Sequence, residues 1–312
     1  MKRKLCIAGI LLLLLFLLCF PGEALSASRE GMKLWLNTLL PTLLPFLILT
    51  GFLIHTNIIE KIFKPLSGLS RKLFGLSPAG TYVLALGLLC GYPMGAKLAS
   101  DLYVCKKISR REGEYLLTFC NNPSPAFLFT YLSQICLEGR TSPGQILAIL
   151  LLSNVICMLF FRFLVYKNKT CSLKQQDSLK KETPITSPLG AIIDVSIMNG
   201  FETITKLGGY LLLFSLLSAC ISHYWPFSSA SRAVFLGGLE LTTGLHELYL
   251  AGLPYEQKFA LAMAMTAFGG LCIHGQTASV LKGSLSLRPY LAAKFLNLVC
   301  TLLLVLVFSQ IV

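Results

Sequence analysis

Two long apolar segments of this chain are each interrupted by residues that a regular membrane-spanning helix does not carry. The first reads Leu-Thr-Phe-Cys-Asn-Asn-Pro-Ser-Pro over 117–125, and the second reads Phe-Gly-Gly-Leu-Cys-Ile-His-Gly-Gln-Thr over 268–277. A bilayer interior has no water for freed backbone groups, so broken helices are tolerated only where protein or a polar cavity surrounds them. Matched interruptions in two halves of one chain indicate a transporter substrate site.

The composition indicates a polytopic membrane protein. Of 312 residues, 54% are hydrophobic and 13% are charged, whereas an ordinary soluble domain is about 25% charged. The clearest apolar stretches, at 34–55, 143–166 and 289–311, reach the roughly 20 residues that a spanning helix needs. We therefore expect an all-α fold in a lipid bilayer.

The net charge of +13 does not indicate a nucleic-acid partner. The Lys and Arg residues lie in short loops between apolar runs rather than along one soluble face, which is typical of positive-inside topology. With the topology below, 18 of them face the cytoplasm in loops and five lie near the outside.

The chain divides into four regions. Residues 1–28 carry a basic start and a short apolar run, which fits a signal peptide or a first transmembrane helix. Both interpretations place residue 29 outside, and we favour a retained helix. Residues 29–166 form a first repeat, 167–188 a lysine-rich cytoplasmic linker, and 189–312 a second repeat.

Each repeat contains a helix, a hairpin, a broken helix and a final helix. The first repeat places these at 34–55, 80–105, 112–137 and 143–166, and the second at 191–222, 233–252, 254–281 and 289–311. Basic loops flank 80–105 on both sides, so this segment enters and leaves the membrane on one face, as a re-entrant hairpin. Three crossings then remain in the first copy, so the second copy is inverted, as in many secondary transporters.

The tip of the first hairpin is a candidate substrate site. Its candidate contacts are Gly91, Tyr92, Pro93, Gly95 and Lys97. A lysine beside a helix N-terminus at membrane depth is costly without a negative partner. That partner is either an anionic substrate or a carboxylate of the second hairpin, Glu240 or Glu247. Alternatively, Lys97 reaches the interface or makes a fixed internal ion pair.

The two breaks supply further polar candidates. They are Asn121, Asn122 and Ser124 in the first break, with Gln276 and Thr277 in the second. The asparagines either bind substrate or satisfy backbone groups freed by the prolines. Proton- or ion-coupling candidates are Glu240, Glu247 and His274, since imidazole titrates near neutrality. The coupling ion, H⁺ or Na⁺, is left open. None of the three aspartates, Asp101, Asp177 and Asp194, is expected to pair within a break.

The chain lacks the motifs of intramembrane and soluble enzymes. It has no H-E-x-x-H, no G-x-S-x-G and no phosphate-binding glycine loop. We therefore expect neither an enzyme nor a resident cofactor or metal.

The first-half motifs resemble those of a known family. Gly-Tyr-Pro-Met-Gly-Ala-Lys at 91–97 and Phe-Cys-Asn-Asn-Pro-Ser-Pro at 119–125 are similar to those of the sporulation integral membrane protein YlbJ-like family. That family belongs to the group with a nucleoside-recognition, or Gate, domain, and the resemblance covers about residues 30–311. The plan of hairpin and broken helix also resembles that of concentrative nucleoside transporters. The resemblance implies a multi-pass protein of the cell membrane or of a membrane that surrounds the forespore. It also implies that the protein moves dipicolinate during endospore formation.

Our leading hypothesis is therefore a transporter of a small organic anion, with dipicolinate as the implied substrate and Lys97 as the carboxylate ligand. A transporter of nucleosides or nucleobases, with Lys97 held by Glu240 or Glu247, is the first alternative. A gating or assembly subunit that transports nothing is the second. A homo-oligomer is left open.

Overall fold

A computed structural model describes residues 2–56, 58–167 and 188–309, and these ranges fold into helices with no strand among them. The all-α prediction is confirmed. Nearly all of the predicted linker at 167–188 lies outside the described residues, so its role stays a prediction.

The helices of the first half are bounded as follows. They are α1 Lys2–Cys19, α2 Pro21–Leu34, α3 Leu40–His55, α4 Ile58–Phe63 and α5 Ser67–Phe74. These are followed by α6 Pro78–Cys90, α7 Met94–Val104, α8 Arg110–Leu116, α9 Pro125–Phe127 and α10 Pro143–Phe160. Three π-helical stretches, Trp35–Leu39, Leu128–Cys136 and Phe161–Val165, join α2 to α3 and extend α9 and α10.

The second half contains six helices in its described part. They are α11 Leu189–His223, α12 Ser229–Leu239, α13 Leu241–Leu250, α14 Tyr255–Phe268, α15 Gly270–Leu281 and α16 Arg288–Ser309. Each half thus ends with a pair of short helices, a broken helix and one long helix, as the sequence predicts. Inversion of the second half in a membrane, and likeness to concentrative nucleoside transporters, stay predictions.

Five helical stretches of the described chain are long and apolar enough to cross a membrane. They are Pro21–His55, Pro143–Val165, Leu189–His223, Tyr255–Leu281 and Arg288–Phe308. The first begins well before residue 34, because α2 runs without interruption through the π-helical stretch into α3. This confirms a multi-pass membrane protein.

The first pair of short helices, α6 and α7, is held together by glycines. They meet at residues 91–93, as predicted. A methyl group on Gly87 or on Gly95 would overlap the carbonyl oxygen of Cys120, so the first break lies directly against both helices. Gly91 has a φ of +85° and ends α6. Glycine is favoured there because side chains with a Cβ are strained in this region.

The second pair, α12 and α13, is built in the same way. A methyl group on Gly244 would overlap the backbone of Gly237 on the facing helix. A Cβ on Gly270 would lie 3.1 Å from the carbonyl oxygen of Gly237. In both halves, therefore, the break in the long segment packs against the hairpin of its own half.

The two breaks differ in extent, which corrects one expectation. The first leaves residues 117–124 outside the helices, and this segment contains the predicted interruption at 121–124. The second is confined to Gly269, which has a φ of +90° and both ends α14 and begins α15. His274, Gln276 and Thr277 lie inside α15, so the predicted unwinding through 277 is wrong. Adjacent glycines at 269 and 270 absorb the change of direction, and the following residues keep their helical backbone bonds.

Candidate functional site

The first break and the helix after the second break are joined by one buried hydrogen bond. Asn121 Nδ2 donates to Thr277 Oγ1 over 3.1 Å. Asn121 is 1% exposed and Thr277 is 0% exposed. Two of the predicted substrate residues, one from each half, are therefore in direct contact.

Tyr290 of α16 extends this contact to a third element. Its hydroxyl accepts from Thr277 Oγ1 at 3.5 Å and lies 3.0 Å from His274 Nδ1. When the Tyr290 hydroxyl donates to Nδ1, the hydrogen of a neutral His274 is on Nε2. The imidazole then presents an N–H donor that has no hydrogen-bond partner among the described residues.

Lys294 lies one helical turn after Tyr290 and is 4% exposed. Its Nζ lies 5.2 Å from the ring centroid of Tyr92 and 5.9 Å from that of Tyr290. Cation–π contacts of this kind stabilise an ammonium but do not neutralise it. Nζ makes no hydrogen bond to any described residue, although a buried charge normally has a paired group.

Four buried polar atoms around this crossing have no hydrogen-bond partner among the described residues. They are Asn121 Oδ1, Asn154 Oδ1, His274 Nε2 and Lys294 Nζ. Buried polar groups in folded proteins are nearly always hydrogen-bonded, and each exception requires an explanation. With the His274 hydrogen on Nε2, the set contains one cation, one N–H donor and two amide acceptors, so it suits a small polar solute that carries negative charge. We refer to these four residues with Tyr92, Thr277 and Tyr290 as the crossing site.

The asparagines of the first break have different roles. Asn122 Nδ2 donates to the carbonyl oxygen of Phe119 at 2.7 Å, and Asn154 Nδ2 of α10 donates to the same oxygen at 2.8 Å. Asn122 thus satisfies freed backbone, which was one of the two alternatives for it. Asn121 instead binds across to the other half.

Lys97 is neutralised within its own helix. Its Nζ lies 2.5 Å and 2.6 Å from the two carboxylate oxygens of Asp101. Of the alternatives for Lys97, the structure therefore shows the internal ion pair, with Asp101, a partner that was not among the expected ones. The i,i+4 spacing places the two side chains on one face of α7, so Asp101 reaches Lys97 without any long-range packing.

The two glutamates of the second hairpin have local partners. Glu240 is the N-cap of α13, where it accepts from the backbone N–H groups of Thr242 and Thr243 at 3.1 Å and 2.7 Å. Glu247 pairs with Arg232 at 2.8 Å. Neither is the partner of Lys97 that the nucleoside alternative requires. A helix N-terminus stabilises a carboxylate through its free N–H groups.

The remaining predicted residues support the hairpin and the breaks. Tyr92 Oη donates to the carbonyl oxygen of Thr266 at 3.1 Å, tying the first hairpin to α14. Pro93 and Ser124 are the N-caps of α7 and α9. A Cβ on Gly91 would lie 2.8 Å from Ser124 N, so the hairpin tip touches the first break. Gln276 Nε2 contacts Cys272 Sγ at 3.6 Å, one turn earlier in α15.

Sequence reasoning missed Lys294, Tyr290 and Asn154. Lys294 is the single charged residue of the predicted span 289–311, and an ionisable residue inside a span is by itself a functional candidate. The same face of α16 carries Asn297 and Thr301. Ser153 Oγ donates to Asn297 Oδ1 at 2.6 Å and accepts from Thr301 Oγ1 at 3.0 Å. This polar face was the signal that could have identified α16 as part of the candidate site.

Comparisons with known proteins agree with the motifs. A family model described as Gate, nucleoside recognition, matches residues 36–169. The sporulation integral membrane protein YlbJ of Bacillus subtilis (strain 168) is 26% identical over 313 residues, covering 89% of this chain and 75% of that protein. The resemblance to the YlbJ-like family is confirmed. The Gate match contains the first hairpin and the first break, whereas α15 and α16, which supply His274 and Lys294, lie outside it. No solved structure matches.

Proposed function

We propose that this protein transports a small organic anion across its membrane and that Lys294 recognises the negative charge. The observation that carries the proposal is the Lys294 ammonium, buried between two tyrosine rings with no hydrogen-bond partner among the described residues. A buried ion without a counter-charge costs several kcal/mol. A carboxylate bound there would offset that cost, so the site favours anions over neutral solutes of similar size.

The other groups of the crossing site define what such an anion would carry. The Nε2–H of His274 would donate a second hydrogen bond to an acceptor on the solute. The amide oxygens of Asn121 and Asn154 would accept from any N–H or O–H group on it. Because these residues come from both halves, the bound solute would lie where the first break meets α15 and α16, as in transporters with broken helices.

Dipicolinate is the first anion to test. It is a small dicarboxylate, and the resemblance to the YlbJ-like family implies it. The choice of dipicolinate rests on that resemblance and on its negative charge. The inference that the solute is an anion rests on Lys294.

Transport of nucleosides or nucleobases is the second candidate. The Gate description, nucleoside recognition, favours it. The amide oxygens of Asn121 and Asn154 accept no hydrogen bond from the described residues and suit the N–H groups of a base. In that case Lys294 would contribute little to binding, which separates the two candidates experimentally.

The test is ligand binding by purified protein in lipid nanodiscs, measured as thermal stabilisation with dipicolinate, uridine and adenine. Wild type is compared with Lys294→Met and with Lys258→Met. Lys258 is a matched control because it is also buried but lies 3.6 Å from Glu138 and donates to the Tyr249 carbonyl oxygen.

Stabilisation by dipicolinate that is lost in Lys294→Met and kept in Lys258→Met supports the anion proposal. Stabilisation by uridine or adenine alone moves the function to the second candidate. No response to any ligand, together with a copurifying protein, contradicts both and favours a gating or assembly subunit.

A further inference from the structure

A second lysine, Lys97, is buried beside the first hairpin tip, and unlike Lys294 it has a carboxylate against it. Lys97 follows the tip of the first hairpin by one helical turn, and both carboxylate oxygens of Asp101 lie within 2.6 Å of its Nζ. The pair carries no net charge. Removing the charge of either member would leave the other, buried Lys97 or half-buried Asp101, without its counter-charge, which is unfavourable.

The two members differ in their access to solvent. The Asp101 side chain is 29% exposed, whereas the Lys97 side chain is 9% exposed. A proton can therefore reach the carboxylate, while the carboxylate itself covers the ammonium. This difference in exposure suits a site in which protonation of Asp101 controls whether Lys97 can bind an anion, because the carboxylate that takes up the proton is the more exposed of the two groups.

The ionisable groups that act electrostatically on Asp101 come from several of the elements around it. Besides Lys97, they are His55 at the end of α3, Tyr82 of α6, Cys105 after α7 and Lys282 after α15. The Tyr82 hydroxyl is buried and has no hydrogen-bond partner among the described residues. Lys282 is itself paired with Glu202 at 2.9 Å, and Asp101 is the carboxylate of this set. Protonation of Asp101 removes the negative charge that neutralises Lys97.

We propose that Asp101 is the proton-coupling residue of the anion transport described above, and that its protonation frees Lys97 to bind the anion. The proton adds to one Asp101 carboxylate oxygen and gives a neutral carboxyl group. The Lys97 ammonium keeps its protons, and a carboxylate of the solute takes the place of Asp101 beside it. On release of the anion, Asp101 returns the proton to water and pairs with Lys97 again. One proton thus accompanies one negative charge.

This inference rests on the proposed function, since it assumes that the protein binds an anion. It goes beyond it by naming the coupling ion as H⁺ and the coupling group as a residue outside the sequence-based candidates Glu240, Glu247 and His274. It also connects the two buried lysines. Lys294 has no hydrogen-bond partner among the described residues, and Lys97 becomes available only after a proton has bound to Asp101.

The experiment measures dipicolinate affinity against pH for wild type, Asp101→Asn and Asp194→Asn in nanodiscs. The asparagine at 101 mimics the protonated carboxyl. Asp194 provides the same substitution at an exposed position of a membrane helix. If binding takes up one proton, the dissociation constant of wild type rises about tenfold per pH unit above the titration of Asp101. Asp101→Asn is expected to bind with the high affinity of the protonated state and without that slope, and Asp194→Asn to match wild type.

A pH-sensitive dye in weak buffer then counts protons directly. We expect about one proton taken up per anion bound in wild type and in Asp194→Asn, and none in Asp101→Asn. Wild-type binding without proton uptake, or uptake that persists in Asp101→Asn and is lost in His274→Gln, would overturn the inference and leave the proposed function standing. If wild type binds no dipicolinate while it binds a nucleoside, the proposed function fails, and this inference fails with it.

Discussion

Asn121 Nδ2 donates a 3.1 Å hydrogen bond to Thr277 Oγ1, and this bond joins the unwound segment of the first half to α15 of the second. The Thr277 hydroxyl in turn points to Tyr290 of α16. The two halves therefore meet through polar side chains at the level of their breaks rather than through apolar packing alone. Any rearrangement that separates the halves has to break this bond.

Replacing Thr277 with Val removes the acceptor of the Asn121 amide while keeping the shape of the side chain. We expect a loss of about 1–3 kcal/mol of stability, because the buried amide is left without a partner. Thr266→Val is the matched control, since Thr266 is equally buried but its hydroxyl bonds only to Ala262 in its own helix. Thermal unfolding in detergent measures both. Equal shifts for the two variants would mean that the bond between the halves contributes little.

Replacing Lys294 with Met is expected to leave the protein as stable as wild type or more stable. The substitution keeps a similar volume and removes a buried ammonium for which the described part of the chain offers no hydrogen-bond partner. Lys258→Met is expected to lower the unfolding temperature, because it removes the partner of Glu138 and of the Tyr249 carbonyl oxygen. A clear destabilisation by Lys294→Met would indicate a structural partner and contradict the binding role.

Lys97 and Asp101 are expected to be coupled in stability. Lys97→Met alone leaves a half-buried carboxylate without its partner, so we expect a loss of about 1–3 kcal/mol, between the values for surface and buried pairs. The double variant Lys97→Met, Asp101→Asn should recover most of that loss. Urea unfolding of the four proteins gives the interaction energy. Simple addition of the two single effects would show that the ion pair is energetically unimportant.

The glycine contacts of the first hairpin predict a steric effect. Gly95→Ala places a methyl group into the Cys120 carbonyl oxygen, so the hairpin and the first break have to separate. We expect a large fall in unfolding temperature or failure to obtain folded protein. Gly209→Ala, at a helical glycine with nothing within 4 Å of its Cβ position, should raise or preserve stability, because alanine favours helix. Comparable behaviour of the two variants would show that the close approach at Gly95 is dispensable.

The sequence predicted the helices and the hairpins because hydrophobic length and glycine-proline breaks are local signals. It placed the first break correctly, since the residues around Pro123 and Pro125 cannot continue a helix. The second break was predicted too long. His274, Gln276 and Thr277 are polar but compatible with helix, and the turn is made by Gly269 and Gly270 alone.

The pairings at the candidate site were less predictable. The contact of Asn121 with Thr277 spans 156 positions, and nothing local encodes it. The Lys97–Asp101 pair could have been predicted from its i,i+4 spacing, and Lys294 from its place as the single charged residue of the predicted span 289–311. The sequence analysis instead looked for partners and binding groups at the breaks. Glu240 was expected either to couple transport to an ion or to pair with Lys97. In the structure its carboxylate instead accepts hydrogen bonds from the backbone N–H groups at the N-terminus of α13.

The central claim is that Lys294 recognises a transported anion, and flux into proteoliposomes tests it most directly. Vesicles containing wild type, Lys294→Met or Lys258→Met at equal protein content are loaded with unlabelled dipicolinate, and the exchange of external labelled dipicolinate is followed. The account predicts exchange by wild type and by Lys258→Met, and exchange at the level of empty vesicles for Lys294→Met. Exchange by folded Lys294→Met at the wild-type rate would contradict it.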